Sequence, residues 1–407
     1  MIGGLFKSAS RVAIVAAAGI FAGSMSAQAA DLGGNCCADL EERVAELEAT
    51  TARKGNRRVS LTVYGQVNKA IIWHDDESVP GPGAPGATNS GSYREGKLTV
   101  IDNAAGHSRF GFRGSAKIRP DLEAGYQIEV QVNENASTSG LTIRHNFVYL
   151  DSSTMGRVSL GQTSQVTDGL FEINLANTQV TPAGTGGMDA AETFLDSTYA
   201  STFVSGVDGG RKQGVYYRTP TLAGFILSAG YSHDADSGLV DSTDFWEVAL
   251  RYAGEFNGIR LAAGIGYRHE DLYSATVAGE NEIWMASGSI MHTPTGLFVS
   301  GGYGDVNSSG FAAGLTRDRT HFWVMGGIEK NWFGPGATTL FAEYGDADVA
   351  RATINDGTVW GLGVAQKFDA AAMDLYLNYR NYELEGVVPA TVDSSANVVV
   401  GGMIIRF

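Results

Sequence analysis

Residues 59–68 read VSLTVYGQVN, and this stretch decides the fold. Val59, Leu61 and Val63 alternate with polar neighbours, so apolar and polar side chains fall on opposite faces of an extended strand. The same period of two continues to the end of the chain, where residues 396–407 read ANVVVGGMIIRF. The pattern predicts an all-β protein whose strands each have one apolar and one polar face.

The lengths of strands and connectors distinguish a membrane barrel from a soluble sandwich, which would also alternate. The segments run about ten to fourteen residues, enough for a tilted bilayer crossing. Connectors alternate between short ones (119–121, 257–258, 368–371) and long ones (74–106, 163–210, 384–396). Since only helices and closed barrels satisfy every backbone group in lipid, we expect a transmembrane antiparallel β-barrel of about 16 strands over residues 59–407. The predicted strands start near Val59, His107, Asp121, Gly140, Met155, Arg211, Ala223, Thr243, Asn257, Glu280, Thr295, Asp318, Gly336, Gly357, Ala371 and Ala396.

Aromatic residues lie near many predicted strand ends, as expected of the two belts that a barrel carries at the membrane surfaces. The candidates for these belts are Tyr64, Trp73, Tyr231, Trp246, Tyr267, Trp284, Trp332, Trp360 and Tyr382. The last residue, Phe407, continues the apolar face of the final strand, and we expect it to face lipid.

The first 29 residues have the order of a secretory signal peptide. Lys7 and Arg11 precede an apolar run, and Ala27-Gln28-Ala29 is a small-x-small cleavage signal. The run is too short to span a bilayer as a helix. We expect residues 1–29 to be removed as the chain leaves the cytoplasm.

Residues 30–58 are predicted to form a short periplasmic segment. Leu40, Val44 and Leu47 have heptad spacing, which predicts a coiled-coil helix over residues 38–52. About two heptads are too few for a stable isolated helix. The helix therefore either joins several chains or lies solvated on one of them. The adjacent Cys36 and Cys37, the two cysteines of the chain, provide no disulfide framework.

Composition agrees with the barrel and excludes one class of partner. Charged residues make up 18 %, glycine is abundant at 54 and proline scarce at 9, with a mean hydropathy near zero. The net charge is −15, and loss of the signal peptide with its two basic residues leaves −17. Phosphates repel such a chain, so we expect no nucleic-acid partner.

Enzyme and metal signatures are missing from the sequence. It has no G-x-S-x-G, P-loop or H-E-x-x-H motif, and its seven histidines lack metal-ligand spacing. Ser232-His233-Asp234 has the residue types of a hydrolase triad, but successive strand residues point to opposite faces. We expect no catalytic residue, no cofactor and no metal.

The most informative charged residues are those predicted to face the barrel interior. Arg109, Arg113, Arg144 and Arg211 are predicted to form a basic wall. Loop 164–210 is acidic, and an inward-folded loop would bring Asp189, Glu192 and Asp196 opposite these arginines, narrowing the pore. The alternative is that the arginines are ordinary lumen residues that balance nearby acids.

Several motifs, in order along the chain, resemble the general bacterial porins. Tyr64-Gly65, the run 109–114 (RFGFRG) and the run 214–220 (GVYYRTP) are similar to motifs of that family, and the terminal Phe407 matches its assembly signal. The N-terminal heptads resemble the coiled-coil-bearing porins of alphaproteobacteria. The resemblance implies a 16-stranded homotrimer with the third outer loop folded inward, and Arg109 and Arg144 at basic wall positions. Gln66 stands where that family commonly has lysine.

The sequence therefore predicts an outer-membrane porin for passive diffusion of ions and small hydrophilic solutes. The expected surroundings are outer-membrane lipid and lipopolysaccharide in the bacterial outer membrane. The alternative is a structural barrel that tethers the cell envelope, with the coiled coil holding the trimer or gripping peptidoglycan.

Overall fold

The computed structural model describes residues 59–76, 97–133, 140–180, 202–203, 206–235, 242–273, 278–310, 318–351, 354–387 and 392–407. The predicted signal peptide (1–29) and coiled coil (38–52) lie outside these residues. The described chain forms one antiparallel sheet of 17 strands. They are β1 (Thr62–Asp76), β2 (Lys97–Asp102), β3 (Arg109–Arg119), β4 (Leu122–Asn133), β5 (Gly140–Ser152), β6 (Gly156–Ser164), β7 (Arg211–Arg218), β8 (Phe225–Ala235), β9 (Ser242–Phe256), β10 (Ile259–Tyr273), β11 (Ala278–His292), β12 (Leu297–Ser309), β13 (Arg319–Lys330), β14 (Thr338–Arg351), β15 (Ile354–Phe368), β16 (Met373–Val387) and β17 (Val392–Arg406).

The sheet closes on itself with sixteen positions in the wall. β2 pairs with the second half of β1, and β3 pairs with its first half, so these two short strands share one position. A 3₁₀ turn at Ala104–Gly106 separates them. The predicted count of 16 is confirmed, but the prediction of an unbroken connector over residues 74–106 was wrong, because β2 lies within it.

Closure joins β1 to β17 over eleven residue pairs, from Gln66 opposite Arg406 to Asp76 opposite Ala396. Beyond them, Phe407 accepts a hydrogen bond from the Gly65 N–H and donates one to the Gly65 carbonyl. No open sheet edge remains at this seam, as a lipid-embedded sheet requires.

The two faces follow the alternation predicted from the sequence. On β1, Val63 and Val67 point outward and are 47 % and 50 % exposed, whereas Gln66 and Asn68 point inward and are 8 % and 2 % exposed. The apolar outer face suits lipid, and the polar inner face suits water.

Aromatic rings form cross-strand pairs on the outer face. Centroids lie 4.5 Å apart for Tyr231–Trp246, 4.7 Å for Tyr267–Trp284 and 5.3 Å for Trp360–Tyr379. These pairs suit a belt at the membrane surface. Two belt predictions were wrong. Tyr64 shares the inward parity of Gln66 and hydrogen-bonds Glu129, and Tyr382 is fully buried against Phe203.

The connectors at 120–121, 153–155, 257–258 and 293–296 lie at one end of the barrel, which we call the short-turn end; the other end, where β6 leads into the connector at 165–210, is the long-connector end. Asn257-Gly258 joins β9 to β10 with both φ angles positive, at 49° and 77°, as a type I′ hairpin requires. The connector predicted at 384–396 is shorter than expected, because β16 extends to Val387 and β17 starts at Val392. Within the described residues, no helix is long and apolar enough to cross a membrane.

Candidate functional site

A β-bulge in β5 sets the geometry of the inner wall. Glu129 of β4 pairs with His145, but the next residue, Val130, pairs with Ile143, so Arg144 is the extra residue. A bulge breaks the alternation of side chains. Arg144 and His145 are both buried on the inner face, 7 % and 4 % exposed. The sequence predicted Arg144 on the inner wall. Strict alternation would then have put its neighbour, His145, on the outer face.

Glu129 is the centre of this part of the wall. Its Oε1 accepts a hydrogen bond from Arg144 Nε at 2.8 Å and lies 3.8 Å from Arg109 Nε. Tyr64 donates its hydroxyl to Glu129 Oε2 at 3.0 Å. His145 Nε2 lies 3.9 Å from Oε1. One carboxylate thus holds two guanidinium groups on the inner wall.

A third guanidinium approaches from β7. Arg211 Nη2 lies 3.7 Å from Asp168 Oδ2, and its charge acts on both Arg109 and Arg144. We call Arg109, Arg144 and Arg211 the arginine cluster. Among the described residues, the carboxylates that form ion pairs with these three cations are those of Glu129 and Asp168.

Arg113, the fourth predicted residue of the basic wall, lies apart from the arginine cluster. Its guanidinium carbon is 5.1 Å from the centre of the Tyr64 ring. Glu129 pairs with Gly111 of β3, and Arg113 lies two residues further along β3, nearer the short-turn end. Gln66 stands at the position where the resembling family commonly has lysine. Its side-chain amide donates to the carbonyls of Gly106 and His107, and its side-chain oxygen accepts a hydrogen bond from Arg109 Nη2. It positions Arg109 rather than adding charge.

Residues 165–180, which we call the inward segment, follow β6 and pack inside the barrel. Glu247 of β9 holds the start of the segment: its carboxylate accepts hydrogen bonds from the N–H groups of Val166 and Thr167 and from the Thr167 hydroxyl, at 2.7–3.1 Å. Arg251 donates to the carbonyls of Val166 and Asp168, both at 2.9 Å.

Asp208 joins the inward segment to the returning chain. Its carboxylate accepts hydrogen bonds from the N–H groups of Gly169, Leu170 and Phe171 at 2.7–3.1 Å. Burial, together with the nearby Asp168 carboxylate, raises the pKa of Asp208. Arg268 donates to the carbonyls of Gly206 and Val207. Both ends of the connector are thereby fixed to the wall.

The middle of the inward segment lies along β11 to β13. The hydroxyls of Ser287 and Ser289 accept the N–H groups of Ile173 and Leu175, and Trp323 donates its indole N–H to the Phe171 carbonyl at 2.8 Å. Leu170 and Phe171 are fully buried in an apolar cluster with the wall. Full burial of such side chains stabilises the segment by about 1.5–3 kcal/mol each.

The far end of the inward segment reaches the seam of the barrel. Asn177 donates its N–H to Glu329 and its side-chain amide to Asp374. Arg406 donates to Gln179 at 2.8 Å and pairs with Asp374. The segment therefore follows the inner wall from β9 to β17, while Arg109 and Arg144 belong to β3 and β5.

The acids predicted for the constriction, Asp189, Glu192 and Asp196, lie outside the described residues. The acids that the structure places in this region are Asp168, Glu172 and Asp208 of the connector and Glu129 of the wall. Glu129 could have been found from its inward parity in β4. His145 could not, because no local pattern marked the bulge.

Two inward-facing rings, those of Tyr64 and Tyr149, lie against the wall across a glycine of the neighbouring strand. A Cβ added to Gly125 would lie 2.2 Å from the Tyr149 ring, and one added to Gly111 would lie 2.7 Å from the Tyr64 hydroxyl. Tyr149–Gly125 and Tyr64–Gly111 are directly paired in register. These glycines let large rings lie along the wall instead of filling the lumen.

Two groups of residues have the types found in hydrolase triads or metal sites, and both lie apart from the arginine cluster. Ser232 is buried inside, hydrogen-bonded to Gln165, while His233 is exposed, so Ser232-His233-Asp234 forms no triad. His269, Asp271 and Glu280 bring ligand atoms within 4.8 Å of one another. Sequence spacing missed this group because Glu280 comes from the strand next to Asp271.

Comparison with known proteins gives one family and one fold. The family model described as Gram-negative porin matches residues 13–399. An outer membrane porin protein of Bordetella pertussis is 24 % identical over 277 residues, which are 64 % of each chain, so the match spans less than two thirds of that relative.

Solved structures share the architecture at low identity. An anion-selective porin from Comamonas acidovorans has a TM-score of 0.62 and 17 % identity, covering 86 % of this chain and 100 % of its own. The outer membrane channel DcaP of Acinetobacter baumannii has a TM-score of 0.57 and 13 % identity, covering 87 % and 99 %. The trimer form of Vibrio cholerae OmpT has a TM-score of 0.56 and 13 % identity, covering 86 % and 99 %.

Proposed function

The chain belongs to the Gram-negative porin family of the bacterial outer membrane, and from this we propose that it forms a water-filled channel for passive diffusion of ions and small hydrophilic solutes. The observation that carries the proposal is the placement of charge inside a closed sixteen-position barrel. The arginine cluster lies on the β3–β7 side, and the inward segment follows the remaining wall. Barrels of this size leave an aqueous channel.

Selectivity follows from the same arrangement. Charged side chains at a narrow point set which ions pass, because the low-dielectric wall focuses their field. Among the described residues, the three cations of the arginine cluster form ion pairs with Glu129 and Asp168. We propose that Arg109, Arg144 and Arg211 form the basic side of the constriction, with Asp189, Glu192 and Asp196 as its acidic side. Arg113 lies nearer the short-turn exit.

The assembly proposed is a homotrimer in contact with outer-membrane lipid and lipopolysaccharide. A solved relative in fold is described in a trimer form. Phe407 is 65 % exposed and presents its ring on the outer face, where lipid or assembly factors can reach it. The proposed role of residues 38–52 is to join the chains of the trimer or bind peptidoglycan.

Purified protein in a planar lipid bilayer tests the channel. We expect stepwise conductance without a ligand or ATP, with steps in groups of three for a trimer. A properly folded, membrane-inserted protein that leaves the bilayer silent would overturn the proposal. Steps of a single size that never group in threes would overturn the trimer alone.

A further inference from the structure

Phe147 is an apolar ring on a wall that otherwise suits water. Of the inward-facing phenylalanine and tryptophan side chains in the described strands, Phe245, Phe298, Trp323 and Phe341 are buried, whereas Phe147 stays partly exposed. Exposure of an aromatic ring to water forfeits hydrophobic free energy, and barrel interiors of this class are polar. The exposed ring therefore needs an explanation other than packing.

The surroundings of Phe147 form an aromatic ladder along β5. Ring centroids of His145 and Phe147 are 6.0 Å apart, and those of Phe147 and Tyr149 are 6.2 Å apart. Arg157 places its guanidinium carbon 4.0 Å from the centre of the Tyr149 ring. The ladder begins beside Glu129 and runs toward the short-turn end, so a solute leaving the arginine cluster would meet it next.

The next two strands of the wall have glycine in the row of Phe147. Phe147 pairs with Gly161 of β6, and Gly161 pairs with Gly214 of β7. Neither glycine carries a side chain that could cover the ring from that side. A flat group could lie over Gly161 in contact with Phe147, whereas the Tyr216 ring, whose hydroxyl donates to the Lys212 carbonyl, runs beside Gly214.

A cation lies in the same cross-strand row on the other side. Arg113 pairs with Gln127, and Gln127 pairs with Phe147, so two strand spacings, about 10 Å, separate Arg113 from Phe147. Arg113 is exposed and makes no ion pair within the described part of the chain. Gln127 lies between them and donates its amide to the Tyr64 hydroxyl.

We infer that Arg113, Gln127 and Phe147 form a subsite for aromatic carboxylates inside the channel. The guanidinium binds the carboxylate, which it matches in charge and geometry, and the ring of the solute stacks on Phe147. Two strand spacings of about 10 Å between Arg113 and Phe147 give room for the carboxylate and ring of a benzoate-sized anion, while the Arg113 guanidinium itself lies over the Tyr64 ring. The inference rests on the proposed function, because a solute reaches this row only through an open lumen.

Reduction of chloride current by added benzoate tests the subsite in planar bilayers. We expect benzoate to reduce the current at lower concentration than cyclohexanecarboxylate, which has similar size and charge but no π face. Phe147→Leu should raise the half-effect concentration of benzoate about two- to tenfold, the range expected for one lost ring contact. Phe147→Tyr should retain the wild-type value. Arg113→Gln should weaken the binding of both benzoate and cyclohexanecarboxylate, and so raise both half-effect concentrations.

Phe322→Leu is the matched control, because Phe322 is an exposed ring on the outer face. It should leave the benzoate response unchanged. Chloride conductance in every variant shows that the channel has folded. Equal half-effect concentrations in wild type and Phe147→Leu, or for benzoate and cyclohexanecarboxylate, would refute the subsite. Absence of chloride conductance in the wild type would instead contradict the proposed function.

Discussion

Phe407 lies across Gly65, and this contact completes the barrel. The two backbones exchange hydrogen bonds of 2.9 and 3.1 Å. A Cβ added to Gly65 would lie 2.5 Å from the Phe407 ring and 2.7 Å from the Arg109 carbonyl oxygen. The first strand thus leaves space for the last residue, and the same glycine lies next to the strand that carries Arg109.

Gly65→Ala should therefore weaken closure of the barrel. The added methyl group displaces the Phe407 ring and presses on backbone, an overpacking that costs about 1–3 kcal/mol. The expected result is a lower unfolding temperature, measured by the gel shift of heated samples. Gly326→Ala is the control, because its nearest atom would be at 3.6 Å. Equal unfolding temperatures for the two variants would contradict this account of the seam.

Charge changes around Glu129 should move ion selectivity in opposite directions. Arg144→Gln removes a cation from the inner wall and should shift the reversal potential in a salt gradient toward cations, as should neutral residues at Arg109 and Arg113. Glu129→Gln removes an anion and should shift it toward anions. Losing one hydrogen-bonded partner costs about 1–3 kcal/mol of stability in each case.

Lys330→Gln is the control for these charge changes, because Lys330 is an exposed residue at the short-turn end of β13. Its reversal potential should equal that of the wild type. If Arg144→Gln and Glu129→Gln moved the reversal potential in the same direction, the arginine cluster could not be the source of the dominant electric field in the pore.

Glu247→Ala should release the start of the inward segment. It removes the acceptor of three hydrogen bonds, two of them from backbone N–H groups, and should cost about 3 kcal/mol. Single-channel records should show noisier current and a larger mean conductance. Glu255→Ala changes an exposed acid of the same strand and should behave as wild type. A quiet, unchanged current in Glu247→Ala would show that the other anchors suffice.

Gly125→Ala should narrow the lumen with little loss of stability. The atoms that the new methyl group meets, at 2.2–2.6 Å, all belong to the Tyr149 ring, which can swing away from the wall. We expect a lower single-channel conductance, and the double change with Tyr149→Ala should restore it. A stability loss without a conductance change would mean that the ring cannot move.

Strand positions could be predicted from the sequence because the alternation of side chains between two faces depends only on neighbouring residues in the chain. A short run of alternation is enough to assign a face, so Gln66 and Asn68 inside and Val63 and Val67 outside were predicted correctly. The break near Ala104 was not readable, since β2 and β3 are separate strands only in relation to β1.

The candidate site was predicted in part. Alternation placed Arg109 and Arg113 on the inner face, and the resemblance marked Arg144. The sequence did not show that Arg113 would lie over the Tyr64 ring or that Glu129 would hold two arginines. It also did not show that a bulge would bring both Arg144 and His145 to the inner face. Those contacts join residues on different strands, and their register is a long-range property.

The sequence by itself determined the class of this protein: alternating faces, sixteen wall positions, short and long connectors, and a final strand ending in Phe407. Only the tertiary structure decided which charges meet and where the connector after β6 runs. The physical reason is that side-chain period depends on neighbours in the chain. The inward segment is instead held by Glu247, Asp208 and Trp323, residues 37–152 positions away from their partners.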